Sequence, residues 1–235
     1  MTSADRGTFL RTHYLFRDLE PQVVDKIEAL VAERHLGKGE HLFQKGDPGD
    51  ALYGVISGRM VMCVTGEQGR EIILNIIEPG EVFGEIALLD GQPRTADARS
   101  MAATSLITIY RRDFIPFLET QPAVSIHFLR LICQRLRQTS EMVEDTILLP
   151  LPARLAKRLL AMSQPPDDTD GSSPERRTIR LSQNELGQLT GASREAVNKH
   201  LQDWRDSGWI DLGRGRITVV APAALRELAR GGGEH

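Results

Sequence analysis

The 235-residue sequence predicts an α+β fold, and three observations carry that prediction. Between Gly37 and Gly91 lie 11 of the 21 glycines, and they punctuate short runs rich in β-branched residues. Beyond residue 111 the pattern changes to a long helical stretch whose apolar residues repeat by three and four. Near the C-terminus two helical segments flank a tight glycine turn and lead into a basic hairpin. The expected order is an antiparallel sandwich or roll over residues 1–111, a long helix and hinge over 112–149, and a smaller domain over 150–235.

Composition is that of an ordinary globular chain, with 40% hydrophobic and 26% charged residues. No apolar run approaches the ~18 residues that would span a bilayer. The N-terminus has no apolar signal region, so a cytoplasmic protein with no membrane partner is expected. Cys63 and Cys133 are far apart and form no metal-ligand spacing, which argues for reduced thiols and against an iron–sulfur sensor. The net charge of −3 does not suggest nucleic acid. Residues 150–235, however, hold 13 Lys+Arg against 11 Asp+Glu, a tilt toward basic in an otherwise acidic chain.

Residues 8–33 read as partly helical. Val23, Val24, Ile27, Leu30 and Val31 keep helical spacing, and Pro21 stands at an early position. Strand-like runs follow at 51–56, 59–64, 71–77 and 105–110. They are separated by the turn signals Ser57-Gly58, Gly66-Glu67-Gln68-Gly69 and Pro79-Gly80.

Residues 80–96 carry the first chemistry. Gly84 and Gly91 bracket a run long enough for one or two helical turns. The first amides of such a turn lack intrahelical partners and, with the helix dipole, favour an anion. Gly84 permits close backbone approach. Arg94 offers a planar fork for two phosphate oxygens. Glu85 is misplaced for phosphate but suited to a sugar hydroxyl. These residue types fit a ligand with one phosphate and a ribose, and fit equally a surface turn with solvated charges. The full string Phe-Gly-Glu-Ile-Ala-Leu-Leu (83–89) followed by Pro-Arg-Thr-Ala (93–96) resembles the phosphate-binding cassette of cyclic-nucleotide-binding domains. That resemblance implies a β-roll in which Gly84, Glu85 and Ile86 give backbone donors to the cyclic phosphate. It also implies that Glu85 holds the ribose hydroxyl, that Arg94 and Thr95 hold the phosphate, and that Leu74 and Ile77 flank the base.

In the long helix, Leu129, Ile132, Leu136, Thr139 and Val143 step by three and four, a short heptad seam for a partner helix or for the helix's own roll. Thr139 is polar within that stripe, either to fix register or to face a ligand. Leu-Arg-Gln-Thr-Ser-Glu (136–141) resembles the base-contacting turn of the cyclic-AMP receptor (CRP/FNR) family of bacterial transcription regulators. The resemblance implies that Thr139 touches the base in its own subunit and that Ser140 reaches the ligand across a homodimer.

Leu148-Leu149-Pro150-Leu151-Pro152 should break the helix and form a hinge, since proline disfavours helix at and before its own position. Helix resumes over 153–162, and 164–175 is a polar, turn-rich loop. Ser182 with Glu185 three residues later is a capping box. Thr190-Gly191-Ala192 makes a tight turn, and Ser193 caps a second helix reaching about Ser207. This is a helix-turn-helix layout. Ala196, Val197, Leu201 and Trp204 share one face of the second helix; Arg194, Glu195, Asn198 and Lys199 share the other. First-turn side chains of that kind read base edges in double-stranded DNA. The same pattern fits a solvated amphipathic helix with Glu195 and Lys199 as an i,i+4 pair. Two strand-like runs within 209–220, joined by a basic glycine turn, complete a winged module whose Arg214 and Arg216 are placed to touch phosphates. Residues 222–230 read as a last helix and 231–235 as a frayed end.

Gly-Ala-Ser-Arg-Glu-Ala-Val (191–197) resembles the same family, with Arg194, Glu195 and Lys199 in the base-reading places. A well-studied member has Arg at the Lys199 position and a phosphate-contacting hydroxyl residue at the Ala196 position, so the role carries over but not the full operator sequence. As a whole the resemblance implies a homodimeric regulator that binds palindromic DNA in response to cyclic AMP, or to cyclic GMP, and works with RNA polymerase. An enzyme is not expected, because no nucleophile–base pair, metal set or second carboxylate accompanies Glu85 and Arg94 in sequence.

Overall fold

A computed structural model describes residues 3–13, 16–17, 19–163 and 178–230. The loop expected at 164–175 and the end at 231–235 lie outside the described residues. The contacts fall into two compact units, Met1–Arg137 and Gln138–His235.

The first unit opens with α1 (Ser3–Thr12) and α2 (Pro21–Leu30), the latter with its proline in the first turn, where the missing N–H costs nothing. Val31 keeps the helical spacing in sequence yet begins a strand. The strands are β1 (Val31–Leu36), β2 (His41–Phe43), β3 (Ala51–Ser57), β4 (Met60–Thr65), β5 (Glu71–Ile77) and β6 (Val82–Phe83). A short helix α3 (Glu85–Asp90) precedes β7 (Asp97–Ser100) and β8 (Thr104–Tyr110). They make two four-stranded antiparallel sheets, ordered β1-β8-β3-β6 and β2-β7-β4-β5. Strands β1, β2, β6 and β7 are short or broken by charged residues, so alternation did not reveal them.

One core, with Leu36, Phe43, Tyr53, Val55, Met60, Ile77 and Phe83, belongs to the roll. A second packs Leu10, Phe16 and Ile27 of the N-terminal segment with Leu52, Ile107 and Ile109 of the first sheet. It also takes in Phe114 of α4 (Arg111–Thr120) and Phe128 and Leu131 of α5 (Pro122–Leu148). The long helical stretch is thus two helices, divided at Pro122, where the sequence offers a break. Gln121 between them leaves the helical region (φ −130°, ψ 77°), which the residue before a proline is disfavoured from occupying.

The seam on α5 is rotated from the expected one. Leu129, Leu136 and Val143 are exposed as expected, at 60%, 66% and 53%, but Ile132 is half-buried. The exposed stripe is instead completed by Ile126, Cys133, Ser140 and Ile147, stepping by three and four over 126–147.

The second unit takes α5 from Gln138 onward. Only Leu149 and Pro150 interrupt the helix before α6 (Leu151–Ser163). Pro152, expected to belong to the break, sits in the first turn of α6, where proline is tolerated. Lys157 pairs with Asp145 at 2.7 Å, and Arg154 Nη1 donates to Leu149 O, so charges brace this short connection. Beyond it come β9 (Thr178–Ile179), α7 (Gln183–Thr190), α8 (Arg194–Asp206), β10 (Ile210–Gly213), β11 (Arg216–Val219) and α9 (Pro222–Ala229). The sheet order is β10-β11-β9, antiparallel throughout.

Candidate functional site

In the first unit the site grows from the junction of β6 and α3. Gly84 caps α3 in the left-handed region (φ +84°). A Cβ there would lie 2.9 Å from Arg94 Nη1 and 3.2 Å from Ala51 O, so glycine is required for both conformation and space. Gly91 ends the helix at φ +70°, and Arg111 Nε donates to Leu88 O at 2.7 Å, holding its last turn.

Arg94 is 4% exposed. Its Nη1 donates to Gly84 O at 3.0 Å and its Nη2 to Ala51 O at 2.9 Å. The guanidinium lies 4.2 Å from the Phe43 ring centroid and 5.5 Å from that of Tyr53. Its Nε is buried without a hydrogen-bond partner. Among the described residues, the ion pairing found for it is with Asp50 Oδ1 at 4.0 Å, on a side chain 72% exposed. Burial lowers its pKa from the ordinary guanidinium value, yet arginine keeps its charge. The charges of Asp50 and Glu85 favour the cation, but neither accepts a close hydrogen bond from it, so a buried cation with a spare donor is left suited to an anion. The backbone around it is pinned: Arg94 N donates to Asp47 O, and Gly46 N to Arg94 O, both at 2.8 Å.

Glu85, whose charge acts on Arg94, is also 4% exposed. Its Oε1 is 3.7 Å from Nε of Arg135, whose Nη2 donates to Val82 O at 2.9 Å. Arg135 was missed at the sequence level. The available signal was a charge on the buried stripe of α5, where Val124, Phe128 and Leu131 precede it by steps of four, three and four. Thr95 is exposed next to Arg94, and Ile86 is 44% exposed, so any contribution of Ile86 to the site comes from its amide. Leu74 is half-buried at a bulge of β5, where Met62 pairs with Asn75 and Cys63 with Ile73. Ile77 is 1% exposed within the roll core, so its side chain is engaged in packing.

In the second unit, Ser182 accepts from Glu185 N at 3.2 Å while Glu185 Oε2 accepts from Ser182 N at 2.6 Å, the reciprocal box the sequence predicts. Gly191 turns the chain at φ +67°. Ser193 accepts from Ala196 N and caps α8. Val197, Leu201 and Trp204 are buried, Ala196 half-buried, and Arg194, Glu195 and Lys199 exposed. Asn198 is half-buried. Strands β10 and β11 join through Arg214 and Gly215 (φ +67°), with Arg214 and Arg216 both exposed at the tip.

Residues 33–121 match the cyclic nucleotide-binding domain and residues 153–228 the Crp-like helix-turn-helix domain. A CRP-like cAMP-activated global transcriptional regulator of Mycobacterium tuberculosis is 33% identical over 216 residues, which cover 92% of this chain and 96% of that one. The chain belongs to the CRP/FNR family.

The catabolite activator protein of Thermus thermophilus has 32% identity and a TM-score of 0.53, covering 93% of this chain and 99% of its own. The c-di-GMP-responsive regulator CLP of Xanthomonas campestris superposes with a TM-score of 0.72 at 22% identity, covering 85% and 99%, and so shares the fold. As a CRP/FNR protein this chain is a cyclic-nucleotide-responsive transcription regulator with a DNA-binding helix-turn-helix. Of the family's expected contact residues, Gly84, Glu85 and Arg94 come together with Arg135 in the first unit, whereas Thr139 and Ser140 fall on exposed positions of α5 in the second. Among the described residues no helix is long and apolar enough to cross a membrane, and no group of metal-ligating side chains occurs.

Proposed function

We propose that this protein is a cyclic-AMP-dependent homodimeric regulator that binds palindromic DNA and works with RNA polymerase. The observation that carries the reading is the buried Arg94, with an unpartnered Nε and a weak counter-charge, beside the buried carboxylate of Glu85. Arg94, Thr95 and the amides of Gly84, Glu85 and Ile86 hold the cyclic phosphate. Glu85, oriented by Arg135, accepts from the ribose hydroxyl. Thr139, Leu74 and Ile77 meet the base, and Ser140 reaches the nucleotide of the other subunit. Support for cyclic AMP comes from relatives at 32–33% identity whose names carry it.

The exposed apolar stripe of α5 pairs with a second copy, making residues 112–149 the dimerisation helix between a nucleotide-binding domain (1–111) and a DNA-binding domain (150–235). On the two-fold, paired α8 helices enter major grooves about 34 Å apart. Arg194, Glu195, Asn198 and Lys199 face the bases; Ser193, Arg214 and Arg216 meet phosphates. The nucleotide acts through its differential affinity for the DNA-binding state.

The test is fluorescence anisotropy on a labelled palindrome of TGTGA-like half-sites, without ligand, with cyclic AMP and with cyclic GMP, at fixed salt. Binding that needs cyclic AMP is the expected result; equal response to cyclic GMP overturns the ligand choice. A second reading, a regulator that binds DNA without nucleotide, draws on the two carbonyls that already engage Arg94. Tight binding without ligand would select it.

A further inference from the structure

Arg194, Glu195 and Lys199 are exposed near the start of α8, whereas Asn198 is half-buried and held. Its Oδ1 accepts from Gln183 Nε2 at 2.7 Å, across from α7, and from Gln202 Nε2 at 3.3 Å, one turn further along α8. A carbonyl oxygen has two lone pairs, and both are used. What remains for an outside partner is the Nδ2 amino group, which only donates. An unrestrained asparagine reads adenine by donating to N7 and accepting from N6. That bidentate mode needs the oxygen which Gln183 and Gln202 occupy.

We infer that Asn198 reads DNA as a donor only, and that Gln183 is the positioning residue that makes it so. Arg194 lies one turn before Asn198 on the helix, and Glu195 and Lys199 are its exposed neighbours, which puts the half-buried Asn198 at the edge of the base-reading face. A donor there accepts any base that offers an acceptor in the major groove: guanine N7 or O6, adenine N7, thymine O4. It disfavours cytosine, whose major-groove edge presents an amino donor. Operator selectivity at one half-site position therefore takes the form of exclusion of cytosine rather than choice of adenine. This inference rests on the reading of α8 as the recognition helix.

The test is selection of bound sequences from a palindrome library randomised in both half-sites, with cyclic AMP present and salt fixed. The wild-type protein should disfavour cytosine at one position by about tenfold, within the range of a single base-edge contact. Asn198→Asp keeps the shape and still accepts from both glutamines, but turns the outward group into an acceptor. It should invert the preference toward cytosine at that position alone. Gln183→Glu acts without changing the residue that faces DNA. It forces the Asn198 amide to turn its amino group inward, so it should shift the same position toward cytosine, on top of a uniform weakening from the added charge. A wild type selective elsewhere, whose preferences neither variant moves at any position, overturns the inference alone. The same holds for a wild type that chooses adenine strictly at the affected position. A wild type with no sequence selectivity overturns the recognition-helix reading as well.

Discussion

Arg135 on α5 points its Nε at Glu85 Oε1, 3.7 Å away, while its Nη2 donates to Val82 O at 2.9 Å. One side chain thereby ties α5 to both the carboxylate and the backbone of the nucleotide-binding cassette. Arg135→Leu should weaken cyclic AMP binding about tenfold, because Glu85 loses the group that aims it. Arg135→Lys should recover only part, since an ammonium cannot span the same two partners with a planar fork. Calorimetric titration of the three proteins reads the effect.

Arg94→Leu should abolish cyclic AMP binding while leaving the ligand-free protein within about 1 kcal/mol of wild-type stability. Two opposing effects nearly cancel. A buried cation with a distant counter-charge is removed, and the carbonyls of Gly84 and Ala51 lose their donors. Urea denaturation without nucleotide, beside a binding titration, separates the two outcomes.

The exposed stripe on α5 predicts a charge-sensitive association. Leu136 is 66% exposed in the single chain and occupies the middle of the stripe. If the stripe pairs two copies as proposed, Leu136→Lys should leave the protein monomeric in sedimentation equilibrium where the wild type is dimeric, because a paired seam brings like charges face to face. The isolated chain's unfolding midpoint should be unchanged.

His13 is buried between Phe9 and Phe16, with ring centroids at 5.1 and 5.5 Å. Burial disfavours its charged form and pushes its pKa from 6.5 down to about 4. Between those values the unfolded chain binds the proton and the folded chain does not. Stability should therefore be complete above pH about 6.5 and fall as pH drops toward 4, by about 3 kcal/mol in all. Urea titrations across that range should show the slope, and His13→Leu should flatten it.

The sequence alone determined those features whose physics is local. Gly84 and Gly91 had to bracket a short helix, and Ser182 with Glu185 had to cap α7, because turn chemistry and capping act over three or four residues. Val197, Leu201 and Trp204 declared the buried face of α8 through helical spacing alone.

The tertiary structure decided what depends on residues far apart in the chain. Residue types alone leave Arg94 either a phosphate ligand or a solvated surface cation; its burial follows from Ala51 O, 43 positions away, and from the rings of Phe43 and Tyr53. Arg135 entered the site through Val82, 53 positions away. The seam of α5 turned from Ile132 to Cys133 because Phe128 and Leu131 fixed which side of the helix the first unit covers. Asn198 lost its carbonyl to Gln183, on another helix, and with it one of the two hydrogen-bonding roles that its residue type suggests. Periodicity reports which residues share a face, but only packing against distant segments decides which way that face turns and which polar atoms are left for a ligand.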